Sequence, residues 1–207
     1  FRRVLFRSPN GESTTGWFRI SSTNPVACDD TFGTRVPASS GTLLGSLLNS
    51  VPYSITTTGL VSGTTYYFCA IVENPSGKAF GTVLNFTVPG APVTTTIGTT
   101  TLASTSATLK GSANPVVTAT TAYFRYGTTN PGVCDDTYGT RAPASGGTNV
   151  GSGNAAVEYT QAISGLAPGG TYYYCAAALN SYGTTFGAVL TFTTPGGAPT
   201  ATTGTVT

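Results

Sequence analysis

The chain has 207 residues, 39% hydrophobic and 11% aromatic, with only 8% charged and no histidine. That much apolar and aromatic surface excludes the disordered class, which is highly charged and poor in aromatics. No apolar run reaches the ~20 residues of a membrane-spanning helix, and without an imidazole base the usual Ser-His and Cys-His catalytic pairs are excluded.

The formal net charge is +2, but three of the nine basic residues, Arg2, Arg3 and Arg7, stand in the opening "FRRVLFRS". That octapeptide resembles one reading frame of a translated sequencing adapter; the alternative is a genuine basic strand. Outside it, the six remaining basic residues face seven acidic ones, a balance of −1. Neither nucleic acid nor an anionic membrane is then an expected partner. "VLF" is too short for a signal-peptide core.

Shifted by 106 residues, the sequence overlays itself without a gap, and between Thr14 and Gly90 41 of 77 positions match their counterparts. "TTGWFRISSTNPVACDDTFGTR" from Thr14 matches "TTAYFRYGTTNPGVCDDTYGTR" from Thr120, and "GLVSGTTYYFCAIVEN" from Gly59 matches "GLAPGGTYYYCAAALN" from Gly165. Self-similarity of this kind marks a repeat architecture. The second copy runs from "PGAP" (89–92) to "PGGAP" (195–199), whereas the first lacks the counterpart of 93–113. The expected organisation is an artefactual 1–8, a truncated repeat over 9–90, a complete repeat over 91–198 and the start of a third at 199–207.

Along the complete copy, short alternating runs between turn residues predict strands at 93–97, 106–112, 120–128, a weak one near 138–141, 157–163, 171–180 and 185–194. In "TAYFRYG", Ala122, Phe124 and Tyr126 share one face, with Tyr123 and Arg125 on the other. In "TYYYCAAAL", Tyr172, Tyr174, Ala176 and Ala178 oppose Tyr173, Cys175 and Ala177. About seven strands in roughly 100 residues, with no helical period, is a β-sandwich pattern.

The stretch "SGLAPGGTYYYCAAALNSYGTTFGAVLTFTT" (164–194) resembles the last strands of bacterial fibronectin type III-like repeats, and "TTAYFRYGTT" resembles their central strand. The resemblance covers nearly all of the chain after Ser8. It implies an all-β fold of tandem immunoglobulin-like, fibronectin type III-like sandwiches of about seven strands each. It also implies that Leu166 plugs the core and Tyr172 is a corner tyrosine bonded to nearby backbone, with Leu60 and Tyr66 as counterparts. Two features depart from the family: "TSATLKGSA" (105–113) has no tryptophan, and a Cys-bearing insertion follows the central strand. There is no Arg-Gly-Asp tripeptide, so integrin-type adhesion is not implied.

Each copy holds two cysteines 41 positions apart, Cys28 with Cys69 and Cys134 with Cys175. An even count at repeated spacing in a histidine-free β chain reads as one disulfide per repeat rather than a zinc or redox site. Periodicity puts Cys175 on the outer face, so the bridge is expected to pin the insertion over Tyr123 and Tyr173. Asp29, Asp30, Asp135 and Asp136 follow the cysteines where the chain must turn; turn-capping with a local ion pair to Arg141 is the expectation. Calcium at these carboxylates is the alternative, short of the six to eight oxygens calcium prefers.

Outward-facing Trp17, Arg19, Tyr123 and Arg125 are the candidate ligand face for a glycan or surface protein, unless the insertion covers them. "NFT" at Asn85 is a nominal glycosylation acceptor. No catalytic residue and no cofactor is expected, since the adjacent acids cannot straddle a substrate as a hydrolytic pair must. The expected function is a non-catalytic spacer repeat of a secreted or cell-surface bacterial protein, stalk- or adhesin-like, with a periplasmic setting as a variant. Its partners are neighbouring repeats of the same chain; the alternative is an accessory binding module of an extracellular enzyme.

Overall fold

A computed structural model of the chain describes residues 10–197, 199 and 201. Residues 1–8, read above as an artefact, lie outside the described residues, as does most of 199–207. The chain divides into two compact units, Phe1–Pro89 and Gly90–Thr207. Every regular element among the described residues is a strand, and the fold is all-β and immunoglobulin-like.

The first unit contains β1 (Thr14–Ser21), β2 (Thr34–Val36), β3 (Thr42–Gly45), β4 (Thr65–Asn74), β5 (Gly77–Phe80) and β6 (Leu84–Thr87). They form one antiparallel sheet in which β1 and β4 are central; β2 and β3 flank β1, and β5 and β6 flank β4. Phe18, Leu44, Tyr53, Phe68 and Ala70 pack on its inner face.

The second unit contains β7 (Val93–Ala103), β8 (Ser106–Asn114), β9 (Thr120–Gly127), β10 (Thr140–Ala142), β11 (Thr148–Gly151), β12 (Val157–Ser164), β13 (Thr171–Asn180), β14 (Gly183–Phe186) and β15 (Leu190–Thr193). A three-stranded sheet, β12-β8-β7, faces a second sheet centred on β9 and β13. β10 and β11 share one edge of β9, and β14 and β15 share one edge of β13. The two sheets are therefore three and four strand positions wide, an immunoglobulin-like division.

The inner faces are those the alternation requires: Ala122, Phe124, Tyr172, Tyr174, Ala176 and Ala178 pack against Leu109, Tyr159, Ile163 and Leu166. Burying each of the large side chains contributes about 1.5–3 kcal/mol. Small residues set the sheet spacing: a Cβ on Gly111 would come within 2.8 Å of the Ala176 Cβ. Leu166 is in the core, and the Tyr172 hydroxyl accepts the Ala167 N–H at 2.8 Å, as the family resemblance implied. Tyr66 accepts the Val61 N–H at 3.1 Å in the same way.

Three elements differ from expectation. β7 runs on to Ala103, carrying two register shifts that keep it paired with β8. β11 was not anticipated, because "TNVG" has no alternation to reveal it. The expected strand at 185–194 is two strands, interrupted where Gly187 donates its N–H to the Ala176 carbonyl.

One buried side chain joins the layers. The Tyr159 hydroxyl lies 3.2 Å from the Tyr123 carbonyl and 3.1 Å from the Ala177 carbonyl, so a β12 residue reaches both central strands of the opposite sheet. Tyr53 repeats this in the first unit, with the Trp17 and Ile71 carbonyls at 3.0 and 3.2 Å. Burial pushes both phenols well above their ordinary range. Tyr159→Phe should cost about 0.5–1.5 kcal/mol, the net worth of a buried hydrogen bond to carbonyls that keep their ladder partners, against roughly 3–5 kcal/mol for Tyr159→Ala, which also opens a cavity. Urea titration checks this, with the midpoint moving at unchanged slope.

Candidate functional site

The repeated octapeptide, Cys28–Arg35 and Cys134–Arg141, lies across the outer face of the central strands in each unit. Disulfides Cys28–Cys69 and Cys134–Cys175 anchor it, with Cα–Cα separations of 5.9 and 6.5 Å. Cys69 and Cys175 occupy the middle of β4 and β13, opposite Arg19 and Arg125 in the register. Since inner and outer faces alternate along a strand, a cysteine there points away from the sandwich core and can only hold something laid over the sheet.

Each residue of the motif has a separate task. Asp135 turns the chain: one of its oxygens accepts the Thr137 N–H and hydroxyl, both at 2.7 Å, and the Tyr138 N–H at 2.9 Å. Asp29 makes the same three bonds to Thr31 and Phe32. The threonine hydroxyls and the backbone amides hold both carboxyls below their usual range. Gly139, at φ +50, fits where any side chain would strike the Tyr126 carbonyl 2.2 Å away; Gly33 fits against the Ile20 carbonyl identically.

The second aspartate turns toward the sheet. Asp136 accepts the Tyr123 hydroxyl at 2.7 Å and an Arg125 N–H at 3.0 Å, and Arg125 also donates to the Asp136 backbone carbonyl. The Tyr123 hydroxyl and the Arg125 guanidinium lower the Asp136 carboxyl. Burial, together with that carboxylate, pushes the Tyr123 phenol up to about 12. In the first unit Asp30 accepts the Trp17 indole N–H at 3.0 Å and Arg19 Nε at 3.3 Å, with Lys78 Nζ 2.6 Å away. Lys78, then Trp17 and Arg19, lower its carboxyl, and the Lys78 ammonium is raised in turn.

The closing arginine is not the acids' partner. Arg141 donates to the Pro143 and Gly146 carbonyls and stacks its guanidinium 4.0 Å from the Tyr123 ring centre. Arg35 does the same with the Pro37 and Ser40 carbonyls, 4.4 Å from the Trp17 ring centre. The ion pairs instead use the strand arginines, Arg19 with Asp30 and Arg125 with Asp136. Expectation assigned that role to Arg141 because it is the nearer in sequence; the strand residues are nearer in space.

The candidate ligand face is also corrected. Trp17 is 3% exposed and Tyr123 2% exposed, so neither ring is offered to a glycan or protein in this state. Each is closed between the sheet, the disulfide and an arginine, and in the first unit Trp17, Cys69 and Ile71 form a second, smaller apolar cluster with Cys28 and Phe32. Tyr138 extends the cover, its hydroxyl 3.0 Å from the Tyr173 carbonyl. The four aspartates of the calcium alternative direct their oxygens to amides, hydroxyls, the Trp17 indole and cations. Among the described residues no three His, Cys, Asp or Glu side chains group as a metal site, and no helix is long and apolar enough to cross a membrane.

No family model matches the chain, and no curated protein matches it. Among solved structures it is similar to the sensor domain of the anti-sigma factor RsgI4 of Pseudobacteroides cellulosolvens, with TM-score 0.36 and 13% identity over 51% of this chain and 95% of that one. It is also similar to the FN1–FN3 domains of chicken CNTN1, with TM-score 0.34 and 15% identity over 90% of this chain and 57% of that one.

Two predictions follow from the geometry of this face. Closing a 41-residue loop stabilises by about 4 kcal/mol in the chain-entropy model, so Cys28→Ser/Cys69→Ser should lose about that much. Trp17 is the sole tryptophan; in that variant its emission should move to the red and quench more readily with acrylamide, while Cys134→Ser/Cys175→Ser leaves it unchanged.

The second prediction concerns pH. Stability from the lowered aspartates is present above their ordinary pKa of about 4 and is lost as pH falls through the folded value. Stability from Tyr123 is present below the ordinary phenol pKa of about 10 and is lost as pH rises toward its folded value of about 12. Urea midpoints should therefore fall at both extremes. Asp136→Asn, which keeps an acceptor for Tyr123, should flatten the acid limb.

Proposed function

We propose that the chain is a non-catalytic structural module of an exported bacterial protein, a spacer whose units add length between whatever stands at either side. The observation that carries this reading is where the chain enters and leaves the second unit. Gly90 is bonded to Asn180, at the end of β13, through Asn180 Nδ2 and the Gly90 carbonyl at 2.9 Å. Pro195 is bonded to Gly169, just before β13 begins, at 3.1 Å, and Thr194 to Gly170 at 3.0 Å. The ten residues of β13 lie between, which puts the two chain ends roughly 30 Å apart at opposite poles. The first unit ends similarly, its Pro89 carbonyl accepting the Ser62 hydroxyl at 2.7 Å in the turn before β4.

The other features support the same reading. Side chains that would make a recognition face are used internally to hold the insertion down. One disulfide per unit suits an oxidising compartment, the cell surface or the periplasm. Pro/Gly/Ala joints of four or five residues suit a semi-rigid string, and the partners are then neighbouring repeats of the same chain.

Small-angle scattering on chains of two, three and four units tests the proposal. Maximum dimension should grow by roughly 30 Å with each unit. A dimension that stops growing because the units fold back on one another would sink the spacer reading, as would retention on a polysaccharide column that Tyr123→Ala abolishes.

A further inference from the structure

Because the chain enters and leaves the second unit at opposite poles, a pull on its ends is shared by the first and last strands of that unit. β7 begins at the Asn180 end of β13, and its Thr96 reaches Ala176 further back along the same strand, so β7 runs antiparallel to β13. β15 is also antiparallel to β13. The two terminal strands are thus parallel to each other and are drawn in opposite directions, the geometry of shear.

A continuous row of polar contacts resists that shear. Along 90–96 every second residue is bonded across to the β13–β14 side. Asn180 Nδ2 donates to the Gly90 carbonyl at 2.9 Å and to the Pro115 carbonyl at 3.3 Å. The Thr185 hydroxyl donates to the Pro92 carbonyl at 2.9 Å. Having spent its one proton there, it accepts from the Thr94 hydroxyl at 2.7 Å. The Thr96 hydroxyl accepts the buried Ala176 N–H at 3.0 Å, an amide left without a ladder partner by the break between β14 and β15. That break is shaped for it: a Cβ on Gly187 would stand 2.4 Å from the Thr96 nitrogen and 2.5 Å from its hydroxyl oxygen. The other edge of the same segment is paired by backbone to β8, so the strap ties the three-stranded sheet directly to β13 and β14, and through β13 to β15, from which the chain leaves.

We infer that the segment Gly90–Thr96 is a force-bearing latch, closed by the side chains of Asn180, Thr185, Thr94 and Thr96, which sets the mechanical strength of the second unit. The inference rests on the spacer reading for its purpose but not for its measurement. The disulfide adds a second mechanical property. Of the 105 residue steps from Gly90 to Pro195, the 41 between Cys134 and Cys175 cannot extend, leaving 64. At ~3.6 Å per step, less the roughly 30 Å already spanned, rupture releases about 200 Å, and about 350 Å once the bridge is reduced.

Single-molecule pulling of the full chain by its ends tests this. The event that lengthens from about 200 to about 350 Å on replacing both Cys134 and Cys175 by serine identifies the second unit. Thr94→Val/Thr185→Val and Thr96→Val are expected to cut its rupture force to about half. Ile163→Val, in the core on the far strand β12, provides a control; urea titration sets its equilibrium loss beside theirs. A rupture force unchanged in the latch variants, or one that falls as much in Ile163→Val for the same equilibrium loss, overturns the inference. Scattering dimensions that fail to grow with unit number would overturn the spacer reading alone, leaving the latch measurement standing.

Discussion

The constraint on which the rest depends is the covalent bond between the middle of a central strand and the loop that follows its neighbour. A β-sheet that packs one face on a core ordinarily gives the other to water. Here Cys69 and Cys175 stand on that other face and hold the insertion against it. With the loop tethered, Trp17 or Tyr123 is desolvated and Arg19 or Arg125 is brought to an aspartate. An aspartate–arginine pair on an open sheet would contribute little. Under the cover it is reinforced by the ring donor, by an arginine stacked on the ring and by backbone carbonyls, those of Asp30, Phe32 and Gly33 on Arg19 and that of Asp136 on Arg125. The loop has hardly any regular structure of its own, so its order comes from the bridge and these polar bonds together.

The two copies show that this arrangement is a set of coupled positions. Where the first unit has Trp17, the second has Tyr123, and each donates to the second aspartate of its motif, one through an indole nitrogen at 3.0 Å and the other through a phenol at 2.7 Å. The first unit adds Lys78 to Asp30, a position held by Thr184 in the second. Two cations, Arg35 and Lys78, lie 4.4 and 5.6 Å from the indole centre, which suits tryptophan, the ring that attracts a cation most strongly. The ring and the nearby cation have changed together around an aspartate that is the same in both, while the first aspartate, the glycine and the closing arginine also stayed as they were. Those three serve the backbone of the turn itself, which is the same in both.

Much of the fold was legible because alternation survives wherever a strand has one wet or half-covered face. β8, β9, β12 and β13 were readable within a residue or two for that reason, and the cysteine spacing gave the bridges. The parts that were not legible have definite causes. β11 is four residues of which Val150 alone is buried, too short for any period. The β14–β15 break depends on Thr96, distant in sequence, filling the notch at Gly187. Tyr53 and Tyr159 were present in both copies at matching positions, which was the available signal for their cross-sheet role, but isolated tyrosines in alternating runs look like ordinary core. The rings of the candidate ligand face lie on the outer side, where alternation put them, and under the insertion that the bridge was expected to pin there; alternation alone says which side of a sheet a residue occupies and nothing about what lies over it.

The low charge of the chain takes on a physical meaning in this light. Arg19, Arg35, Lys78, Arg125 and Arg141 all serve the two insertions, and Lys110 pairs with Glu158 at 2.9 Å on the outer face of the three-stranded sheet. What remains facing water is uncharged for the most part, hydroxyl and small-residue surface together with exposed aliphatic side chains such as Val26, Leu43, Leu48 and Val133. Such a surface carries no long-range field to steer a charged partner and little that salt can screen. Electrostatics here is short-range and internal, concentrated at two stapled turns, so its influence on stability is confined to pH values that titrate aspartate or tyrosine. Between those limits each unit is held by apolar burial, backbone ladders and one disulfide, and none of the three depends on ionic strength in the way a surface ion-pair network does. For the spacer proposed above, charges spent in this way would make the length of a unit independent of the salt around it.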